Sequence, residues 1–409
     1  MWQLRSGLRH RRSETSPVYF SVVEPGTTTL RLLVVEAAEA QATVLGWAEG
    51  PGWSSIGSDR RALATVCGDA LAHAEKMAQA LGDRWMLPDQ ILVGLPVSQL
   101  RAQAWSITQR RSRPDRPVDE RELRALLDRT LRLSVNRLRD LEGADGGWVL
   151  VDTAPVGFTI DGRGVTDPIG FRGREVGATV FAALARAEVI ETWGLVAREL
   201  EFTALTLAAA PLALATAMST SQGILMDIGG RTTDLIWCRA GRPYMLVSLD
   251  SGGEALTDSL VRKWNRPADW AERLKRAYSR GDLPAEGMTE VQQVLWPGLQ
   301  AWLEEAEAVM VRLNQDEALP QHLYLLGGGS ALPEMTEAVR SLAWSQRLQF
   351  ARYPQICRIQ PTDVPGVVNR TSMGREMGDV SALALAAWIV RLREPPERPG
   401  QILNELVQG

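Results

Sequence analysis

The chain has 409 residues, 45% of them hydrophobic and 23% charged, and carries a net charge of −4; it is expected to be globular, with more than one core and without the basic field of a nucleic-acid binder. Cys67, Cys238 and Cys357 are odd in number and far apart, which predicts reduced thiols rather than a disulfide framework or a metal site. No apolar run reaches about eighteen residues, and the N-terminus lacks the apolar core of a secretion signal, so a cytoplasmic protein is expected.

Residues 1–17 form a basic leader. MWQLRSGLRHRR sets Trp2, Leu4 and Leu8 among arginines, which reads equally as a short helix lying on an anionic membrane and as a disordered segment, since twelve residues make a marginal helix. Strands are predicted over Val18–Val23 and Leu30–Glu36, around the turn EPGTTT, followed by a helix over Ala62–Leu81 and a strand over Ile91–Leu95. Residues 18–97 are therefore expected to be the first part of one half of the molecule. From 98 to 170 the texture changes to an arginine-rich inserted subdomain, with the loop RRSRPDRP, a helix over Asp119–Leu141 and a strand over Trp148–Val151. Residues 171–201 are expected to pair with the insert or to lead back to the main body. A second half spans 202–390, with a helix at Leu212–Met218, a charged helix at Ala268–Ser279, a strand at Leu323–Leu326 and a helix starting near Leu332. Residues 391–409 are a linker and tail; Ile402, Leu403, Leu406 and Val407, with no cation among them, suit a protein groove better than a lipid surface.

The chemistry is expected at the turns. ILMDIGGRTTDLIW (224–237) is two buried strands around a polar hairpin. Gly229 and Gly230 let consecutive N–H groups converge on an anion such as a phosphate, Thr232 and Thr233 add hydroxyls, and Asp227 at the strand end is placed to hold Mg²⁺ through water. The same residues also read as an ordinary glycine hairpin. EPGTTT, with Gly26, Thr27 and Thr28, repeats the theme near the N-terminus, and LLGGGS supplies a third glycine turn at Gly327, Gly328 and Gly329. Lysine occurs only at positions 76, 263 and 275 among 42 arginines, which singles out Lys275 within WAERLKRAY. Two halves that each open on a strand, glycine turn and strand describe a duplicated α/β fold around a nucleotide.

The order EPGTTT, DIGGRTTD, AERLK, LLGGGSALP resembles the actin, hexokinase and heat-shock chaperone ATPase superfamily. PVGFTIDGRGVTDPIGFRG (155–173) is similar to FtsA, the actin homologue of bacterial cell division, whose own extra subdomain falls where the arginine-rich insert lies. The resemblance implies a duplicated actin-like (ribonuclease H-like) fold with two halves around a nucleotide cleft, ATP and Mg²⁺ as cofactors, and an FtsA-type insert. It makes Asp227 the acid associated with Mg²⁺, makes Gly26, Thr27, Thr28, Gly229, Gly230, Thr232 and Thr233 the phosphate cradle, sends Glu272 and Lys275 to the ribose or adenine, and puts Gly327–Gly329 against the adenosine. Glu272 and Lys275, three residues apart, also read as a solvated ion pair on one helix face.

Three departures bear on activity. Glu24–Pro25 replaces the aspartate that usually starts the first loop, Ala210 stands where relatives carry a water-orienting Glu or Gln, and Arg231 replaces a third glycine. Arg231 is expected to bind phosphate oxygens, to fill the γ-phosphate space or to turn outward, the first being favoured; with Ala210, slow or absent hydrolysis is expected. The functional expectation is an adaptor that polymerises, binds a tubulin-like (FtsZ-like) division protein and contacts the inner face of the membrane. The alternatives are a small-molecule or sugar kinase, for which no motif supplies a carboxylate base, and a scaffold that no longer needs nucleotide.

Overall fold

A computed structural model describes residues 17–56, 59–81, 88–141, 147–219, 222–314, 317–343 and 347–408. Trp2, Leu4 and Leu8 lie outside them. No helix among the described residues is long and apolar enough to cross a membrane.

Val- and Leu-rich segments give β1 (Val18–Pro25) and β2 (Thr29–Ala38), which join β3 (Gln41–Pro51) in an antiparallel meander. A short helix, α1 (Trp53–Ile56), precedes α2 (Arg60–Leu81), whose buried Leu63, Cys67, Ala70, Leu71 and Ala74 recur at helical spacing and cover one face of the meander. β4 (Gln90–Leu95) then runs parallel to β1.

The insert follows. β5 (Leu100–Arg110), α3 (Glu120–Asp140), β6 (Trp148–Ile160), β7 (Arg163–Val165) and β8 (Glu175–Arg186) build a separate sheet in the order β5-β8-β6-β7. Asp119 caps α3 by accepting from the Glu122 N–H at 2.8 Å, and the stripe Leu123, Leu126, Leu127, Leu131 and Leu138 faces the sheet. The sheet moves one expected boundary and decides between the two readings of 171–201. β8 is an interior strand of the insert, paired with both β5 and β6, so the insert extends to Arg186 instead of ending at 170. Residues 190–196 lie in a helix, α4 (Ala187–Glu199).

β9 (Ala204–Ala209) returns to pair with β4, and α5 (Ala210–Ala217) leads onward. The second half is β10 (Gln222–Ile228), β11 (Thr233–Arg239) and β12 (Arg242–Leu249), the helices α6 (Gly253–Trp264), α7 (Ala268–Arg280) and α8 (Ala285–Leu313), then β13 (His322–Leu326), α9 (Met335–Ala343) and β14 (Gln355–Arg358). β15 (Val367–Asn369) crosses back to β3, and α10 (Val380–Arg393) and α11 (Arg398–Gln408) close the chain.

The duplication is plain in the topology. The run β3-β2-β1-β4-β9 in the first sheet matches β12-β11-β10-β13-β14 in the second. Each is an antiparallel meander whose first strand also pairs with a parallel strand, itself parallel to the next. α5 and α10, apolar all round, are packed with residues of both sheets in one shared core. The second half as expected, 202–390, therefore includes pieces of the first: β9, β15 and α10.

The C-terminal segment is also corrected. α11 buries Ile402 and Leu403 in the core of the insert, against α3 and β6, and Arg124 pairs with Glu405. Its apolar face occupies a groove of this chain. Leu403→Ala is expected to destabilise the insert by about 2–5 kcal/mol, whereas Gln401→Ala on the exposed side changes stability by less than about 0.5 kcal/mol; denaturant unfolding curves that show equal effects would contradict the docking.

Candidate nucleotide site

The site grows from two equivalent hairpins. In the first, Glu24 faces Arg31 across β1 and β2, with Gly26–Thr28 at the tip; in the second, Asp227 faces Asp234 across β10 and β11, with Gly229–Thr232 at the tip. The third turn leaves β13, which runs beside β10. Gly327 there has φ +82°, and a Cβ on it would lie 2.3 Å from Asp227 Oδ1, so only glycine fits.

A cavity of about 420 Å³ opens where these turns converge. Gly26, Thr27, Thr28, Gly229, Gly230, Thr232, Glu272, Lys275, Gly327, Gly328, Gly329 and Asp227 all line it. Thr233 and Arg231 do not. Thr233 points into the second half, where its hydroxyl donates to the Ser251 carbonyl at 2.8 Å and accepts from Trp302 Nε1 at 2.9 Å, leaving nothing for a phosphate. Arg231 turns outward: its side chain is 62% exposed, with Nε 3.7 Å from a Glu254 carboxyl oxygen. Its backbone N–H points inward and donates to Thr27 Oγ1 at 3.3 Å. Ala210, at the start of α5, is not among the lining residues.

Arg31 was not foreseen as a site residue and dominates the cavity floor. It is 14% exposed, donates to Glu24 at 2.9 Å and to Asp379 at 2.8 Å, and lies 3.8 Å from Glu49. Burial works against its charge, and the surrounding carboxylates outweigh that, so the guanidinium is held firmly charged. Burial likewise raises the carboxyls of Glu24, Asp227 and Asp379, and Arg31 opposes the rise in each. Asp227 also accepts from Ser381 Oγ at 3.0 Å. Glu24 and Asp379 are engaged by the guanidinium and Asp234 accepts from Ser248, which makes Asp227, against the Gly327 turn, the carboxylate best placed to meet a cation. That suits Mg²⁺ held through water and phosphate oxygens and does not suit a dedicated protein cage; among the described residues no group of three or more His, Cys, Asp or Glu is arranged to hold a metal.

Lys275 is committed elsewhere than the ribose. Its ammonium donates to the Gly253 carbonyl at 2.8 Å, to Thr257 Oγ1 at 2.7 Å and to Glu272 at 2.7 Å, which uses all three donors. It ties α7 to the first turn of α6, whose Gly253 and Glu254 amides bond the carbonyls of Gly229 and Gly230 at 2.9 and 2.7 Å. Lys275 therefore supports the second glycine turn from behind. The outer rim carries Arg276, Ser279, Arg280, Gln360 and Arg375–Gly378, residues that no local motif announces.

A second cavity, about 610 Å³, lies at the junction of β6, α10 and α11 and is lined in part by Thr153, Arg242, Trp388 and Arg391. No turn or helix pair of the nucleotide motifs reaches it.

No family model matches the chain, and no curated protein matches it significantly. Solved structures do. The chain is similar to a chain of the PilM–PilN type IV pilus biogenesis complex, with 19% identity, coverage of 94% of this chain and 100% of that one, and a TM-score of 0.64. The fold is the actin-like one. Ethanolamine utilization protein EutJ from Carboxydothermus hydrogenoformans (17% identity, 91% and 92% covered, TM-score 0.49) and MreB5 of Spiroplasma citri bound to AMPPNP (12%, 91% and 95%, 0.42) are more distant.

Two outcomes follow from this geometry. Lys275→Met removes the two ammonium bonds that tie α7 to α6, while Thr257 and Arg276 still donate to Glu272, and is expected to cost about 1–3 kcal/mol, seen as a lower denaturant midpoint even without nucleotide; an unchanged midpoint would contradict the supporting role. Burial raises the Asp234 carboxyl to about 7, against the Ser248 hydroxyl that donates to it at 2.6 Å. The folded state then holds a proton between pH ~4 and ~7 that the unfolded state has lost, so this group's contribution to stability falls as pH rises through that window. Asp234→Asn should therefore stabilise the chain progressively from pH 4 to 7 and level off above it, by about 1–2 kcal/mol for a part-buried side chain; a pH-independent difference would contradict it.

Proposed function

We propose that the chain is an actin-like adaptor that binds an adenine nucleotide between its two halves and, in that state, holds a partner at a membrane-associated assembly. The observation that carries this is the convergence of three glycine turns and the Glu272 helix face on one cavity. Backbone amides and hydroxyls from both halves are the donors that phosphates require. Mg²⁺ would enter with the phosphates, with Asp227 as the residue that holds it through water, and would neutralise their charge. Ala210 carries no group that could orient or activate a water, and the Arg231 guanidinium is turned outward, so turnover is proposed to be slow: losing general-base assistance costs about 10²- to 10⁴-fold in rate.

The assembly proposed from the sequence motifs is the division ring, with an FtsZ-like partner, a head-to-tail homopolymer and peripheral membrane contact. The likeness to PilM, itself found in a complex with PilN, favours a second reading, an adaptor of a pilus-type assembly. Co-sedimentation with FtsZ-like filaments separates the two: the first reading expects the chain in the pellet and the second does not.

Calorimetric titration tests the nucleotide reading. Wild type is expected to bind adenine nucleotide at micromolar to millimolar concentration, and Asp227→Ala to lose the part of the affinity that Mg²⁺ adds. No heat of binding with any adenine nucleotide at millimolar concentration would remove the proposal in favour of a nucleotide-independent scaffold.

A further inference from the structure

The two phosphate turns are pinned from behind and touch in front. Behind the first, the Gly52 N–H donates to the Thr28 carbonyl at 3.0 Å and the Trp53 N–H to the Gly26 carbonyl at 3.2 Å. Behind the second stand the Gly253 and Glu254 amides, with Lys275 fixing the turn of helix that carries them. In front, a Cβ on Gly230 would meet Thr28 Cγ2 at 2.4 Å and Thr28 Oγ1 at 3.0 Å. The Arg231 amide and the Thr27 hydroxyl, two groups facing the gap, are bonded to each other at 3.3 Å.

A phosphoryl group gripped by both turns needs an oxygen about 2.7–3.2 Å from a donor on each side, in space that Thr27, Thr28 and Gly230 now fill. Neither turn can retreat alone without breaking the backbone bonds behind it. Room for a terminal phosphate requires the halves themselves to separate, with loss of the Thr27 bond and of the Thr28–Gly230 contact. Nothing replaces that loss, because the Arg231 guanidinium lies outside, against Glu254. The cavity beside the contact is still lined by both turns, Asp227, the Glu272 helix and the Gly327–Gly329 turn, enough to receive a nucleoside with a shorter phosphate chain.

We infer that the site selects a nucleoside diphosphate over a triphosphate, and that Thr27 and Thr28 set this preference by closing the gap between the two turns. The inference rests on the nucleotide reading above and reverses the preference for triphosphate that an inward Arg231 would give. ADP binds with the contact between the turns intact; ATP binds only by breaking it.

The test is calorimetric titration of the full chain with ADP, ATP and the non-hydrolysable β,γ-imido analogue of ATP, each with Mg²⁺. ADP should bind at least about tenfold more tightly than either triphosphate, a difference equivalent to the loss of one good hydrogen bond. Thr28→Ser, which removes only the methyl that faces Gly230, should narrow the ratio, and Thr27→Ala with Thr28→Ser should bring it close to one. The single Thr28→Ser change keeps the experiment decisive if the double variant does not fold. Equal affinities in wild type overturn the inference and leave nucleotide binding standing. A preference for ADP that neither variant alters overturns the role of the two threonines. Binding of no nucleotide removes the reading on which the inference rests, and the inference with it.

Discussion

The structure depends on the close approach of two glycine turns, one from each half of a duplicated fold, across a floor of buried charge. The Thr27 and Thr28 side chains, at such range, leave no space for a Cβ at Gly230, and buried carboxylates at such density require a cation among them. Arg31 is that cation. It pairs with Glu24 and Asp379 and sits at the base of the cleft, so two of the carboxylates beneath the facing hairpins are neutralised. The α6 helix, Lys275 and the Gly52–Trp53 bend are then the supports that hold each turn in place.

Much of the site was legible because its parts are local. A glycine turn between two apolar strands states its own geometry, and three such turns in order, with AERLK between the second and third, were enough to place most of the cavity lining. The rest was set by pairings that sequence proximity does not encode. Arg31 bonds Asp379, 348 positions away, and only the folded sheet brings them together. Thr233 looked equivalent to Thr232, but alternation along β11 turns it into the second half, where Trp302 and Ser251 satisfy it. Lys275 was rightly singled out by its rarity, yet its donors are absorbed by α6 instead of reaching into the cavity. Arg231 faces solvent because the amide, not the side chain, lies over the gap.

The domain boundaries failed for a similar reason. β8 reads as a generic apolar strand and could pair anywhere; the partners β5 and β6 make it the middle of the insert. β15 and α10 are late in sequence but belong to the first half, because a duplicated fold sandwiches its crossing helices, α5 and α10, between both sheets. The tail was recognisable as an apolar segment without cations, suited to a protein groove. The groove it fills is the insert's own, which couples the C-terminus to that subdomain.

Hydrogen exchange of the full chain, with and without ADP and Mg²⁺, tests the central claim that nucleotide sits in the cavity where the three glycine turns converge. The account predicts slowed exchange at the amides of residues 24–31, 227–233 and 327–332, in all three segments together and from both halves. Protection confined to the junction around Trp388 and Arg391, or no protection in any segment at saturating ADP, would contradict it.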